Sequence, residues 1–359
     1  MRIVQVIDSL QAGGAERMAV NYANGLVSKI EFSGLIATRL EGDLKNQLHP
    51  KVDYLFLQKT TAIDFRAIKK LKVYCKKNQI SHLHAHSSSF FLAVLVKFLF
   101  FKVKIVWHDH YGLSNFLQSR KTVVLKIASY FFDGIISVNG DLKQWAMLNL
   151  KCKKVIELKN FTSSSATFGE KTRLHGIDGQ RIICVANLRP QKNHLLLLSM
   201  AKKLKVDFPT WTFHLVGHDF KDRYSAEIKT QIKQNFLTET VYFYNSVTDV
   251  EKCIEQAEIG VLTSVSEGLP LSVLEYGQLK KCVVTTNVGQ ISSVIQNEHS
   301  GFLIPANDEN LFYQKLIFCI ENNHIRREFG QNLYHFLQQN FSENRILNDY
   351  ICWLNKIPW

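Results

Sequence analysis

The feature that most constrains this chain is a repeating alternation. Short apolar runs rich in β-branched residues, most of them followed by a helix-length amphipathic stretch, recur from Arg2 almost to the C-terminus. Consecutive strand-helix-strand units produce this order, because parallel strands need long crossovers and a sheet covered on both faces needs apolar residues on both sides of each strand. Strands are expected over 2–7, 32–38, 52–57, 80–85, 102–107, 134–138 and 154–158, then over 181–186, 212–217, 241–244, 259–262, 282–286 and 301–304. Between the two series, residues 161–180 are rich in Ser, Thr and Gly and carry no sustained periodicity, which reads as a connection.

A chain of 359 residues also exceeds what one hydrophobic core usually supports. The expected organisation is an α/β domain over 1–165, a linker over 166–180 and a second α/β domain over 181–341. A terminal helical segment, 342–359, is expected to cross back to the first domain.

Charge separates the halves. Residues 1–176 hold 26 Lys and Arg against 12 Asp and Glu, a balance of +14, whereas residues 177–359 hold 18 against 19, a balance of −1. A one-sided basic field suits an anionic partner such as nucleic acid, an acidic substrate or an anionic membrane face, and equally suits a merely soluble surface. Nucleic acid is the weakest of these, since no recognisable motif or series of aromatics interleaved with basic residues is present. The seven cysteines are scattered singly without a C-x-x-C pair, so they are expected to be reduced core thiols and no zinc site is expected. The opening MRIVQVIDSL has neither the apolar core nor the small-residue cleavage site of a secretory signal, which places the chain in the cytosol. Segment 89–104, SFFLAVLVKFLFFKVK, is too short to span a bilayer and is interrupted by Lys97. It suits a helix covering the sheet, with flanking lysines available to a headgroup surface.

Three stretches carry candidate chemistry. DSLQAGGAER (8–17) places Gly13 and Gly14 after the first strand and before a helix, where bare backbone N–H groups suit a phosphate or sugar; any tight strand-to-helix turn would also use glycine. VANLRPQKNH (185–194) sets Arg189 and Lys192 in the first connection of the second domain, where two cations can neutralise a diphosphate and stabilise it as a leaving group. TSVSEGLPLSVLEYG (263–277) spaces Glu267 and Glu275 eight positions apart around Gly268 and Pro270. Proline suits the first turn of a helix, so Glu267 falls in a loop and Glu275 about one turn inside, a pair suited to sugar hydroxyls and a ribose diol.

Together these residues resemble the retaining glycosyltransferases of GT-B architecture, two facing Rossmann-like domains, and family 4 in particular. GGAER is similar to that family's first glycine-rich loop, 185–194 to its phosphate-binding turn, and SVSEGLPLSVLEYG to its E-x7-E signature. HAHSSS (84–89), VWHDHYG (106–112), LVGHD (215–219) and NVGQ (287–290) follow in the family's order.

The resemblance implies that Glu267 contacts the donor hexose near the reaction centre, Glu275 binds the ribose and Lys192 the diphosphate. Gly268, Leu269 and Asn187 would join the donor site, with Gly13 and Gly14 lining the cleft from the other domain. It also implies a catalytic histidine from the first domain, with His108 ranked ahead of His110; His110, His86 and Glu16 are acceptor-side or secondary candidates. Two departures matter: Asn187 stands where the family often has arginine, so that Arg189 would supply the charge from another position, and His218 and Asp219 follow Gly217 in place of a glycine.

The implied reaction transfers a hexose or hexosamine from a UDP-sugar or GDP-sugar to a saccharide or lipid-linked saccharide in surface polysaccharide or lipopolysaccharide synthesis, at the inner face of the membrane. No D-x-D element occurs in the expected context, so neither a cofactor nor an obligatory metal is expected. The alternatives are a sugar-nucleotide epimerase and a non-catalytic sugar-nucleotide binder. A Rossmann dehydrogenase is disfavoured because no strand-to-helix turn carries G-x-G-x-x-G.

Overall fold

The computed structural model describes residues 1–111, 117, 120, 122–163 and 172–357. The chain divides into two compact units, Met1–Ala166 with Phe341–Trp359, and Thr167–Asn340.

The first unit runs β1 (Arg2–Ser9), α1 (Gly14–Leu26), β2 (Phe32–Leu40), β3 (Asp53–Phe56), α2 (Phe65–Lys77), β4 (His82–His86), α3 (Phe90–Leu99), β5 (Lys104–Asp109), α4 (Val123–Ala128), β6 (Gly134–Ser137), α5 (Gly140–Asn149) and β7 (Val155–Glu157). Its seven strands are parallel in the order β3-β2-β1-β4-β5-β6-β7. The second unit runs β8 (Arg181–Val185), α6 (His194–Asp207), β9 (Thr212–Val216), α7 (Arg223–Gln234), β10 (Val241–Phe243), α8 (Val250–Glu255), β11 (Ile259–Leu262), α9 (Leu271–Gln278), β12 (Cys282–Thr286), β13 (Phe302–Ile304), α10 (Glu309–Glu321) and α11 (Asn323–Asn340). Its six parallel strands lie in the order β10-β9-β8-β11-β12-β13. The last helix, α12 (Glu343–Asn355), returns to the first unit and packs against α1, where Lys29 Nζ donates to Asn348 Oδ1 at 3.1 Å.

All thirteen expected strands are present, but β4 and β5 begin two residues later than expected. The chain needs Asn78 to Ser81 to leave α2, with Gln79 at φ +49, and Phe100 to Val103 to leave α3. The shift carries His86, His108 and Asp109 into the sheet. In the expected linker, Thr172 N and Oγ1 donate to Asp249 at 2.6 Å each, and Leu174 is buried.

Alternation along the strands sorts the first unit's core onto two faces. Val4, Val6, Ile36, Leu83, Ala85, Ile105 and Trp107 join one apolar cluster with residues of α2, α3 and α4, whereas Ile7, Leu35 and Ala37 join another with α1. Helix α2 shows the local logic: Asp64 caps it by accepting from Ala67 N at 3.0 Å, and Ala67, Ile68, Leu71 and Cys75 form its buried stripe. Helix α3 buries Leu92, Ala93, Val94 and Val96, so the body of the apolar segment 89–104 is core. Six of the seven cysteines are buried, and all seven are free thiols.

Candidate functional site

Each sheet reverses its strand order once, between β1 and β4 in the first unit and between β8 and β11 in the second. Connections leaving the C-terminal ends of two such strands diverge to opposite sides and open a crevice, the usual ligand position in open parallel sheets. Most of the sequence candidates fall at these two places, while His108 and His110 belong to β5 and its end, one strand further along the first sheet.

In the second unit, Lys192 follows β8 and Glu267 follows β11, and the two side chains form an ion pair. Ser264 Oγ donates to the same carboxylate oxygen at 2.6 Å. The two connections are stitched together: Val265 N donates to Gln191 O at 2.9 Å, and Thr263 Oγ1 to Lys192 O at 3.0 Å. Beneath the loop, Gly289 at φ +59 approaches so closely that a Cβ there would stand 2.1 Å from Glu267 O, while Gln290 N donates to Gly268 O at 2.9 Å. Pro270 opens α9, which carries Glu275 in a buried position; Leu269 is buried too, and space around Gly268 is open. Arg189 is exposed, its guanidinium 4.3 Å from the centre of the Phe220 ring. Asn187 serves the fold locally, accepting from His218 N at 2.8 Å, and Asp219 pairs with Lys229, whose hydrogen bond holds the carboxyl down at about 2.

In the first unit, Gly13 precedes α1 with Glu16 folded back over it, so that a Cβ at Gly13 would meet Glu16 Oε2 at 2.1 Å; the space around Gly14 is open. The face of the sheet toward α1 and α12 carries a ladder of imidazoles. His84 Nε2 bonds His108 Nδ1 at 3.1 Å, and Tyr350 from α12 bonds His84 Nδ1 at 3.0 Å. One rung nearer the strand ends, His86 Nε2 donates to Gln5 Oε1 at 2.9 Å. His86 Nδ1 therefore accepts from His110 Nε2, at 2.9 Å. Burial holds all four imidazoles well down, His110 at about 3, so they are neutral near pH 7. His108 is completely buried and its Nε2 has no hydrogen-bond partner, while His110, past the end of β5, is only partly buried. Of the two histidines named from sequence, His110 is the more accessible.

Nitrogens of His84, His86 and His108 lie within 4.8 Å of one another, a group whose chemistry suits a metal ion among the described residues. The rings instead hydrogen-bond to His110, Gln5, Tyr350 and each other, with the His84 and His108 ring planes nearly parallel at 9°. Sequence reasoning also passed over Asp109 and Arg120. Arg120 clamps Asp109 with bonds of 2.7 and 2.8 Å and lies 4.4 Å from the centre of a Trp145 ring, yet burial still pushes the Asp109 carboxyl up. Ser264 was missed as a partner of Glu267, although its position three residues earlier was a usable signal. The histidine ladder had one as well, in alternate histidines on two neighbouring strands.

Comparison with known proteins follows the same division. Residues 12–157 match the model described as Glycosyltransferase Family 4, and residues 170–336 match Glycosyl transferases group 1. The chain is 23% identical, over 92% of its length and 92% of the relative's, to the GalNAc-alpha-(1->4)-GalNAc-alpha-(1->3)-diNAcBac-PP-undecaprenol alpha-1,4-N-acetyl-D-galactosaminyltransferase of Campylobacter jejuni. It is 22% identical, over 71% of its length and 70% of the relative's, to the UDP-Gal:alpha-D-GlcNAc-diphosphoundecaprenol alpha-1,3-galactosyltransferase of Escherichia coli. Among solved structures it resembles Anabaena HepE in complex with UDP and glucose, with a TM-score of 0.78, 17% identity and coverage of 99% of both chains.

Proposed function

The chain belongs to the group 1 and family 4 glycosyltransferases of GT-B fold, and from that premise we propose that it moves a hexose or hexosamine from a UDP-sugar or GDP-sugar to a lipid-linked saccharide, with retention at the anomeric carbon. The observation that carries this reading is the Lys192–Glu267 pair at the β8/β11 reversal, with Glu275 a turn into the adjoining helix. A cation for the diphosphate, a carboxylate for hexose hydroxyls and a second carboxylate for the ribose match the three parts of such a donor. The UDP and glucose named with HepE support the donor class. The undecaprenol diphosphates named for the two bacterial relatives support the acceptor class and a place in surface polysaccharide or lipopolysaccharide synthesis.

In the proposed reaction the bond from the anomeric carbon to the diphosphate oxygen breaks as the acceptor oxygen bonds to the same face of that carbon. The acceptor proton passes to the departing phosphate oxygen. Lys192 stabilises the charge that develops there, a contribution aimed at the transition state and requiring no obligatory metal. Glu267 positions the hexose and does not attack it, because an ion pair with Lys192 and a bond from Ser264 draw charge from its carboxylate. His110, at the accessible end of the ladder, is the first unit's polar group for the acceptor, and His108 lies within the ladder. Gly14 leaves backbone room at the β1/β4 reversal for the acceptor.

The test is a thermal-shift panel of UDP, GDP, ADP and their common sugars on the wild type and Glu275→Ala, since a ligand of the folded state raises its apparent stability. One nucleotide family should stabilise the wild type and lose its effect in the variant; no response to any nucleotide sinks the donor assignment. A covalent glycosyl adduct isolated on Glu267 would overturn the same-face path, and turnover abolished by chelator would overturn the metal-free one.

A further inference from the structure

On the face of the first unit's sheet opposite the histidine ladder, several large apolar side chains are exposed. Helices α2, α3 and α4 lie against the same core cluster, α3 packing against both of the others. Helix α4 turns Leu125 and Ala128 inward and leaves Val123, Val124 and Ile127 outside, Val123 at 73% and Ile127 at 60% exposure. Beside it, the end of α3 presents Phe98 and Leu99, followed by Phe101 at 79%. Two contacts join these elements: the Phe98 ring stands 4.7 Å from that of Phe131, just beyond α4, and Lys97 Nζ donates to Phe131 O at 3.1 Å. Large exposed apolar side chains on two helices that pack together are more than scattered surface hydrophobes and suit an interaction site.

The surrounding charge identifies the partner. Residues 65–132 hold twelve Lys and Arg and a single acid, Asp109, which is buried and clamped by Arg120. Arg66, Lys69, Lys76 and Lys77 of α2, Lys102 after α3 and Lys126 of α4 are all exposed. Apolar side chains ringed by cations match the boundary between anionic headgroups and acyl chains, where an amphipathic surface inserts about 5–10 Å deep. A second copy of the chain would bring like charges together at this face. No helix among the described residues is long and apolar enough to cross a membrane, so contact here would be interfacial.

We infer that the α3 end and α4 form an interfacial docking surface for an anionic lipid bilayer, with Val123, Val124, Ile127 and Phe101 entering the acyl boundary and Lys102 and Lys126 meeting headgroup phosphates. This deepens the functional reading, on which it rests only for purpose: a lipid-linked acceptor lies in the plane where such a surface holds the enzyme.

The full chain is sedimented with vesicles of phosphatidylglycerol and phosphatidylcholine, and with phosphatidylcholine alone, beside V123S/I127S and K102E/K126E. The wild type should bind the anionic vesicles at least ten-fold more tightly than the neutral ones. V123S/I127S should lose at least ten-fold at every salt concentration, and K102E/K126E should lose most at low salt, where screening is weak. These side chains are exposed, and an unchanged melting temperature verifies that the variants fold. Equal binding by wild type and V123S/I127S overturns the inference, as does a wild-type dimer in sedimentation that V123S/I127S dissociates, because a second copy would then cover the face. Nucleotide thermal shifts on the same preparations keep the two readings apart: shifts without vesicle binding remove only the docking surface, and vesicle binding without shifts removes only the donor site.

Discussion

The two units reverse strand order in the same way, β2-β1-β4 in one and β9-β8-β11 in the other, and furnish the reversal with opposite chemistry. In the first, the polar groups stand largely on the strands themselves, buried and neutral: His84, His86 and His108, with His110 just beyond. In the second they sit on the loops beyond the strands and are charged, Lys192 keeping 19% of its side chain exposed and Glu267 9%. Burial removes the solvation that a lone imidazolium needs, whereas a paired ammonium and carboxylate at a loop retain each other and some water. One topology thus supports a rigid neutral wall and an ionic ligand clamp, and the depth of the side chains decides which.

Acid should break this contrast most strongly. The buried imidazoles have folded values below the usual 6.5, with His82 at about 4 and His110 at about 3, so below pH 6.5 the unfolded chain binds more protons than the folded one. Their stabilisation is complete above pH 6.5 and is lost as pH falls toward 3, on the order of 2 kcal/mol each for His82 and His110 by pH 5, with His84, His86 and His108 acting in the same direction. The first unit has five such histidines. The second has His194 at about 4 and His214 at about 3. Hydrogen exchange between pH 7.5 and 5 should show the first unit opening ahead of the second; simultaneous opening would refute the asymmetry.

Arg120→Met leaves Asp109 buried without its cation and should cost about 3–5 kcal/mol in urea unfolding, an effect that Asp109→Asn in the same chain should partly relieve. Lys192→Ala should lower turnover about 10²–10³-fold, as expected of a group acting on the leaving diphosphate, and should also lower the melting temperature, because Glu267 keeps only 9% of its side chain exposed and loses its cation. A fall in stability without a fall in turnover would make the pair structural. The smallest effect is expected from Gln5→Leu, which removes the acceptor for His86 Nε2 and should cost about 1–3 kcal/mol. Its readout beyond stability is the nitrogen NMR spectrum of His110, whose proton should no longer be confined to Nε2.

Much of this was legible in one dimension. Strand positions follow from local β-rich runs, and the motif at 263–277 announced its own loop-helix geometry, because proline and glycine dictate backbone conformation within a few residues. Pairings across the sheet were not legible. Lys192 and Glu267 are 75 positions apart, and His86 meets His108 only through the β4–β5 register, two residues from where the strands were expected to start. The exposure of Val123 and Ile127 was hidden for another reason: VVLKIA at 123–128 reads as a short apolar run, and nothing in it distinguishes a helix that is covered from one that is not.

The sequence by itself determined the alternation of elements, the two-domain plan, the basic first half and the residue types of the donor motif, since each depends on neighbours along the chain. Tertiary structure alone decided that His110 is more accessible than His108, that Glu267 is held by Lys192 and Ser264, and that Val123, Ile127 and Phe101 are exposed. Burial and pairing depend on which distant segments arrive beside a side chain, and strand register together with helix packing settles that only after the chain has folded.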